Sequence, residues 1–153
     1  MTEKTCCITG HRDIPNNKWA YVEKELEREV AAAITDGYTC FISGFAEGVD
    51  LTFAAIVAEQ KKNNPTLFLE AAIPYRNRLY TKDEIFQCLI KVCNGVRVEC
   101  DKYEPNCFFA RNRYMVSMSS RVIAVYDGRD CGGTVFTMRD AHIQEKEVRV
   151  IKI

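Results

Sequence analysis

Three glycine-bearing segments and a handful of arginines hold the side chains in this chain best suited to chemistry. The segments are Thr9-Gly10-His11-Arg12, Ser43-Gly44-Phe45-Ala46-Glu47-Gly48-Val49-Asp50, and Asp127 to Thr134, which ends in Asp130-Cys131-Gly132-Gly133-Thr134. Glycine at a strand-to-helix junction lets backbone approach a ligand, and the open N–H groups of the following helix attract phosphate or carboxylate. Arg78 lies with Arg76 in one loop, while Arg111 and Arg113 bracket Asn112. The planar fork of arginine matches phosphate oxygens. His11 can act as acid, base or hydrogen-bonding group near neutral pH. Glu47 and Asp50 are the carboxylates best placed for ribose hydroxyls, with helix capping as the alternative for Asp50. The expected ligand-binding set is thus Thr9, Gly10, His11, Arg12, Ser43, Gly44, Glu47, Gly48, Asp50, Arg78, Arg111, Arg113, Asp127, Gly132, Gly133 and Thr134. No segment fits GxxxxGK[ST] or a strict GxGxxG, which disfavours a P-loop NTPase and a standard dinucleotide dehydrogenase.

The elements around these segments alternate between β-rich runs and helical stretches, the pattern of a doubly wound α/β domain with a mainly parallel sheet and helices on both faces. The spacing predicts strands at Thr5 to Thr9, Thr39 to Ser43, Leu67 to Ile73, Val96 to Cys100, Val122 to Tyr126 and Val148 to Ile153. Pro74 is expected to stop the third. Between them, Trp19, Val22, Leu26, Val30 and Ala33 recur at helical spacing. A second helix near Asp50 to Asn63 is apolar on nearly every side and is expected to be well buried. Three more are expected near Asp83 to Cys93, Phe108 to Ser119 and Thr134 to Glu145. In such sheets ligands sit beyond the carboxyl ends of the strands, where the strand order reverses. The three glycine segments are predicted to gather there on one edge, with Arg111 near Gly132.

Composition narrows the classes. At 153 residues, 47% hydrophobic and 27% charged, the chain suits one soluble domain over 1–153, expected to be cytoplasmic, with no signal peptide and no membrane span. Residues 1–75 carry 7 basic and 11 acidic side chains, net −4, and residues 76–153 carry 14 and 10, net +4. Because the total is zero, nucleic acid is not expected as a partner, nor is a membrane. The eight cysteines contain no CxxC, and neither histidine lies near Cys93, Cys100 and Cys107, so no metal is expected and buried reduced thiols are the simplest reading.

The segments CCITGHR, SGFAEGVDLTFAAIVAE, AAIPYRNR and FFARNRYMVSMSSRVIAVYDGRDCGGTVFTMRDA resemble the YpsA-like family of the SLOG superfamily over almost the whole chain. SGFAEGVD is also similar to the SGxAxGID of DNA-processing Smf/DprA proteins, and ARNRYMVSMS to their RNR-containing segment. The last run resembles LOG-type phosphoribohydrolases, which pair an Arg with a Glu shortly after the glycine loop. By position Arg111 matches that Arg, whereas the Glu position is Thr137 here. The resemblance implies a Rossmann-like fold, homo-oligomers, and binding of nucleotides or their derivatives. Three functions follow. The first is a binder or sensor of an NAD-, ADP-ribose- or nucleoside-monophosphate-like molecule with no firm cofactor of its own. The second is an N-glycosidase using Arg111 with Glu47, Asp50 or Asp130 in place of the missing Glu, expected to be weak or inactive because Thr137 supplies no carboxylate. The third is single-stranded DNA binding, with Arg76, Arg78, Arg111 and Arg113 beside Tyr75, Tyr80 and Phe109.

Overall fold

The computed structural model describes residues 3–153. Six strands form one sheet, all pairs parallel: β1 Lys4–Gly10, β2 Tyr38–Ser43, β3 Phe68–Tyr75, β4 Gly95–Cys100, β5 Arg121–Tyr126 and β6 Glu147–Lys152. Their order is β4-β3-β2-β1-β5-β6, so the direction of winding reverses between β1 and β5. The helices are α1 Trp19–Thr35, α2 Val49–Asn63, α3 Glu84–Val92, α4 Cys107–Met118 and α5 Gly133–Ile143. Right-handed crossovers put α1, α2 and α3 on one face and α4 and α5 on the other. Accordingly α2 packs against α1 and α3, and α4 against α5. This is the Rossmann-like doubly wound arrangement the alternating pattern predicts.

The two strands at the reversal are the most deeply covered. Cys6, Cys7 and Ile8 of β1, and Val122 to Val125 of β5, are buried on both faces, as expected of apolar runs in a central parallel sheet. The helical stripe of α1 is equally legible: Val22, Leu26, Val30 and Ala33 are fully buried, and Gly37, at φ +94°, ends the helix where a side chain would be strained.

Two expectations are revised. Strand β3 runs past Pro74 to Tyr75. Its pairing with β2 ends at Ala71, and on the β4 side the register skips Pro74 between Ile73 and Tyr75, so the missing N–H breaks no ladder bond. Helix α2 buries Val49, Leu51, Phe53, Ala54 and Val57 but leaves Ala55 exposed, because its outer side faces a groove between α1 and the start of α3. The eight thiols are free; Cys6, Cys7 and Cys107 are buried, Cys40, Cys93 and Cys100 partly so, and Cys88 and Cys131 exposed. Burial pushes the Cys7 thiol up to about 12. Among the described residues no helix is long and apolar enough to cross a membrane.

Candidate functional site

A cavity of about 440 Å³ opens where β1 and β5 end. Thr9, Gly10, His11 and Arg12 line it from β1, Asp50 from α2, Arg111 and Asn112 from α4, and Gly132, Gly133 and Thr134 from the start of α5. The three glycine segments therefore contribute to one edge, and Arg111 shares a cavity with Gly132. Gly10 is needed for this closeness: a Cβ there would come within 2.6 Å of Val49 at the head of α2. Gly132, the residue preceding α5, holds φ +115° and supplies no side-chain cap, so the first N–H groups of that helix have no side-chain partner. Such a helix start favours an anion.

The second segment is built largely for its own support. Ser43 is fully buried; its hydroxyl donates to the Asp50 carbonyl at 2.8 Å and accepts from the Phe45 N–H at 3.2 Å. Phe45 takes a left-handed φ of +56°, costly for an aromatic residue, and is pinned by an edge-on contact of 5.3 Å with Phe86. Gly44 lies beneath Arg111 and Asp50, where a Cβ would be 2.7 Å from both side chains. Arg111 is 5% exposed. Its Nη1 donates to the Gly44 carbonyl at 2.6 Å and the Ala72 carbonyl at 3.2 Å, and its Nε to Asn112 Oδ1 at 2.8 Å. It therefore ties the second loop to β3. Burial lowers the Arg111 pKa and raises that of Asp50, and their mutual attraction opposes both shifts.

His11, Asp127, Arg129 and Asp13 form a second cluster. The Asp127 N–H lies 3.3 Å from His11 Nε2, and Asp127 Oδ1 lies 3.1 Å from the same nitrogen. The first contact needs that nitrogen unprotonated and the second needs it protonated. Burial, reinforced by Arg129, lowers the His11 pKa despite the two carboxylates, which favours the neutral ring; its single proton allows Nε2 either to accept the backbone N–H or to donate to the carboxylate. Arg129 bonds Asp127 at 2.6 Å and Asp13 at 2.9 Å, which holds both carboxyls below the usual range. Two of the cavity's three arginines are thus committed to protein groups. Arg12 is exposed, its guanidinium 5.7 Å from the Phe108 ring, and it forms no ion pair among the described residues.

Other expected residues lie elsewhere. Glu47 and Gly48 line the groove between α1 and α2. Arg78 sits over Phe86 and Arg113 over Phe136, each just under 6 Å from the ring centre. Thr137 is buried, and its hydroxyl donates to the Gly133 carbonyl of its own helix at 2.9 Å. Sequence reasoning missed Asp13, Arg129, Phe108 and Asn112. The doubled phenylalanine before ARNR was a readable signal for an aromatic wall; the Asp13–Arg129 pair, 116 residues apart, had none. Tyr75, Tyr103 and Phe108 form a chain of edge-on contacts near the mouth, at 5.3 and 6.0 Å.

Comparison with curated proteins gives no match. Among solved structures the chain is similar to DNA processing protein A from Helicobacter pylori, described for its single-stranded DNA binding mode, with 23% identity and a TM-score of 0.68. The match covers 97% of this chain and 65% of that one, and at this identity it is a likeness of fold. It corrects the expectation that set nucleic acid aside as a partner. That expectation rested on zero net charge, which averages an acidic first half with a basic second half and so says nothing about the surface around one site. A family model described as the YspA SLOG family (YpsA) matches residues 6–152, and the chain belongs to that family.

Proposed function

We propose that the cavity at the ends of β1 and β5 binds the phosphate of a nucleotide-derived ligand. One observation carries the reading: the uncapped start of α5 and the unpaired Arg12 guanidinium open onto the same cavity. The helix start supplies oriented N–H groups, Arg12 supplies an exposed charge, and Phe108 gives the cavity an aromatic wall. A ligand present at about 100 times its Kd stabilises the fold by roughly 2.7 kcal/mol. At roughly 2 to 4 °C per kcal/mol this is a rise in Tm of about 5 to 10 °C. AMP, ADP-ribose and NAD are expected to produce it and adenosine is not. Arg12→Ala is expected to weaken binding by about 1.5 kcal/mol, the scale of one charge-assisted hydrogen bond, with the unliganded Tm unchanged. An equal response to adenosine, or normal binding by that variant, would show that the loops are turns without a phosphate site.

A second reading is that the phosphate belongs to single-stranded DNA. The aromatic chain Tyr103, Tyr75 and Phe108 beside Arg12 favours it, because successive bases stack on such platforms, and the DNA-processing neighbour lends it weight. An oligothymidylate that binds more tightly than dTMP, with affinity falling steeply as salt rises, selects this reading; equal affinity for the two selects the small molecule. Phosphoribohydrolase chemistry has less support. Thr137 is turned into its own helix and Glu47 lies in another groove, leaving buried Asp50 and the Arg129-paired Asp13 as the carboxylates that line the cavity. Free base is expected to be released from nucleoside monophosphates far more slowly than about 1 per second.

A further inference from the structure

On the opposite face from α4 and α5, α1 and α2 leave a groove of about 710 Å³, closed at one end by the start of α3. Leu51, Ala55 and Ile56 of α2, Trp19 of α1 and Ile85 of α3 give it an apolar floor. Ile85 is 62% exposed, and Ala55 is exposed on a helix whose other side is core. The charged residues lining its rim are all acidic, and one of them, Glu59, pairs with Lys62 at 2.9 Å. Glu23 and Glu27 stand one turn apart on α1, Glu59 is on the far side on α2, and Glu47 and Asp83 lie toward the ends. Among the described residues Glu23, Glu27 and Glu47 join no ion pair. Among the described residues no Lys or Arg lines the groove itself.

We infer that this groove docks a basic amphipathic helix of a partner protein. Two packed helices leave between their ridges a furrow that suits a third helix, and small side chains at Thr52 and Ala55 let its backbone come close. The apolar floor takes an i, i+3, i+4, i+7 stripe. Carboxylates on both banks meet lysines or arginines flanking that stripe, and would repel an acidic or neutral-flanked helix. The site is separate from the cavity at β1 and β5, so it stands whether or not a nucleotide binds there.

Trp19 is the only tryptophan in the chain and lies in the groove, so its fluorescence reports occupancy directly. The probe is a synthetic helix of about four turns with Leu at i, i+3, i+4 and i+7 and Lys elsewhere, compared with the same peptide carrying Glu for Lys. The Lys peptide is expected to shift Trp19 emission to the blue and to bind at least about tenfold more tightly than the Glu peptide. Ala55→Arg fills and charges the floor, and is expected to abolish the shift. The exposed pair Glu23→Lys with Glu27→Lys is expected to reverse the preference, and it carries the test if Ala55→Arg does not fold. Equal binding of both peptides, no Trp19 response, or unchanged binding by a folded variant overturns the inference. So does self-association that Ala55→Arg abolishes, which makes a second copy the occupant.

Discussion

At the scale of single residues, Arg111 and Arg12, both expected from the sequence to bind ligand, part company. Arg111 looks like a phosphate ligand, yet it is nearly enclosed and bonded to the carbonyls of Gly44 and Ala72, while Arg12 stays free at the mouth. Arg111→Ala strips two carbonyls of their charged donor and leaves Asp50 without its neighbouring cation. It is expected to cost about 3 kcal/mol, read as a fall of roughly 6 to 12 °C in the Tm of the unliganded protein. A Tm unchanged by this substitution would show that the loop holds without it. His11 gives a pH signature. Its folded pKa lies below its ordinary 6.5, so the unfolded chain binds more protons in that window and stability rises with pH. The contribution is complete above about pH 6.5 and is lost as pH falls through the folded value. The Tm gap between wild type and His11→Gln is expected to be constant above about pH 7 and to shrink toward pH 5. Asp13 and Asp127, both lowered, act with the same sign only in the acid range below 3.8. Asp50, raised, acts with the opposite sign and cancels in the comparison. A gap independent of pH would mean that the ring is not held neutral.

At the scale of elements, the junctions matter more than the helices and strands they join. The end of β1 and the head of α2 touch because Gly10 has no Cβ and Val49 fills that space. Gly10→Ala is expected to cost about 1 to 3 kcal/mol through overpacking. Adding Val49→Ala should return part of that loss, although the valine truncation alone is destabilising. Denaturant melts of the two single variants and the double variant measure this coupling, and strict additivity would place the strain elsewhere. Gly132 differs, since a Cβ there meets nothing within 4 Å and only its φ is unusual. Gly132→Ala is expected to disturb the start of α5, and with it phosphate binding, more than it disturbs the core.

At the scale of the molecule, burial follows the strand order. The innermost strands β1 and β5 are enclosed, whereas the edge strands are open: Val96 on β4 is 46% exposed and Val150 on β6 is 39%. Charged residues on both edges, Arg97 and Glu99 on β4 and Glu147 and Arg149 on β6, discourage pairing with another sheet. Amide hydrogen exchange is expected to be slowest in β1 and β5 and at least about tenfold faster in β4 and β6, because the edges open without global unfolding. Uniform protection across all six strands would mean that the sheet opens only as a whole. The cavity lies at the end of the two most deeply buried strands, which favours a ligand meeting groups that are already in place.

The alternation of strands and helices, the stripe on α1 and the apolar run of β5 are local patterns, and the sequence alone determined them because period and burial are written in consecutive residues. The same holds for the gathering of the glycine segments, since a parallel sheet puts every β-to-α turn on one edge. What the tertiary structure decided is which side chains are free. Whether Arg111 faces solvent or two carbonyls, and whether Asp13 meets Arg129, depend on contacts between segments 39 to 116 residues apart. Whole-chain charge likewise hid an acidic groove on one face and a site with a free arginine elsewhere. Charge and hydrogen bonding act over a few ångströms in space, and distance along the chain does not report that separation.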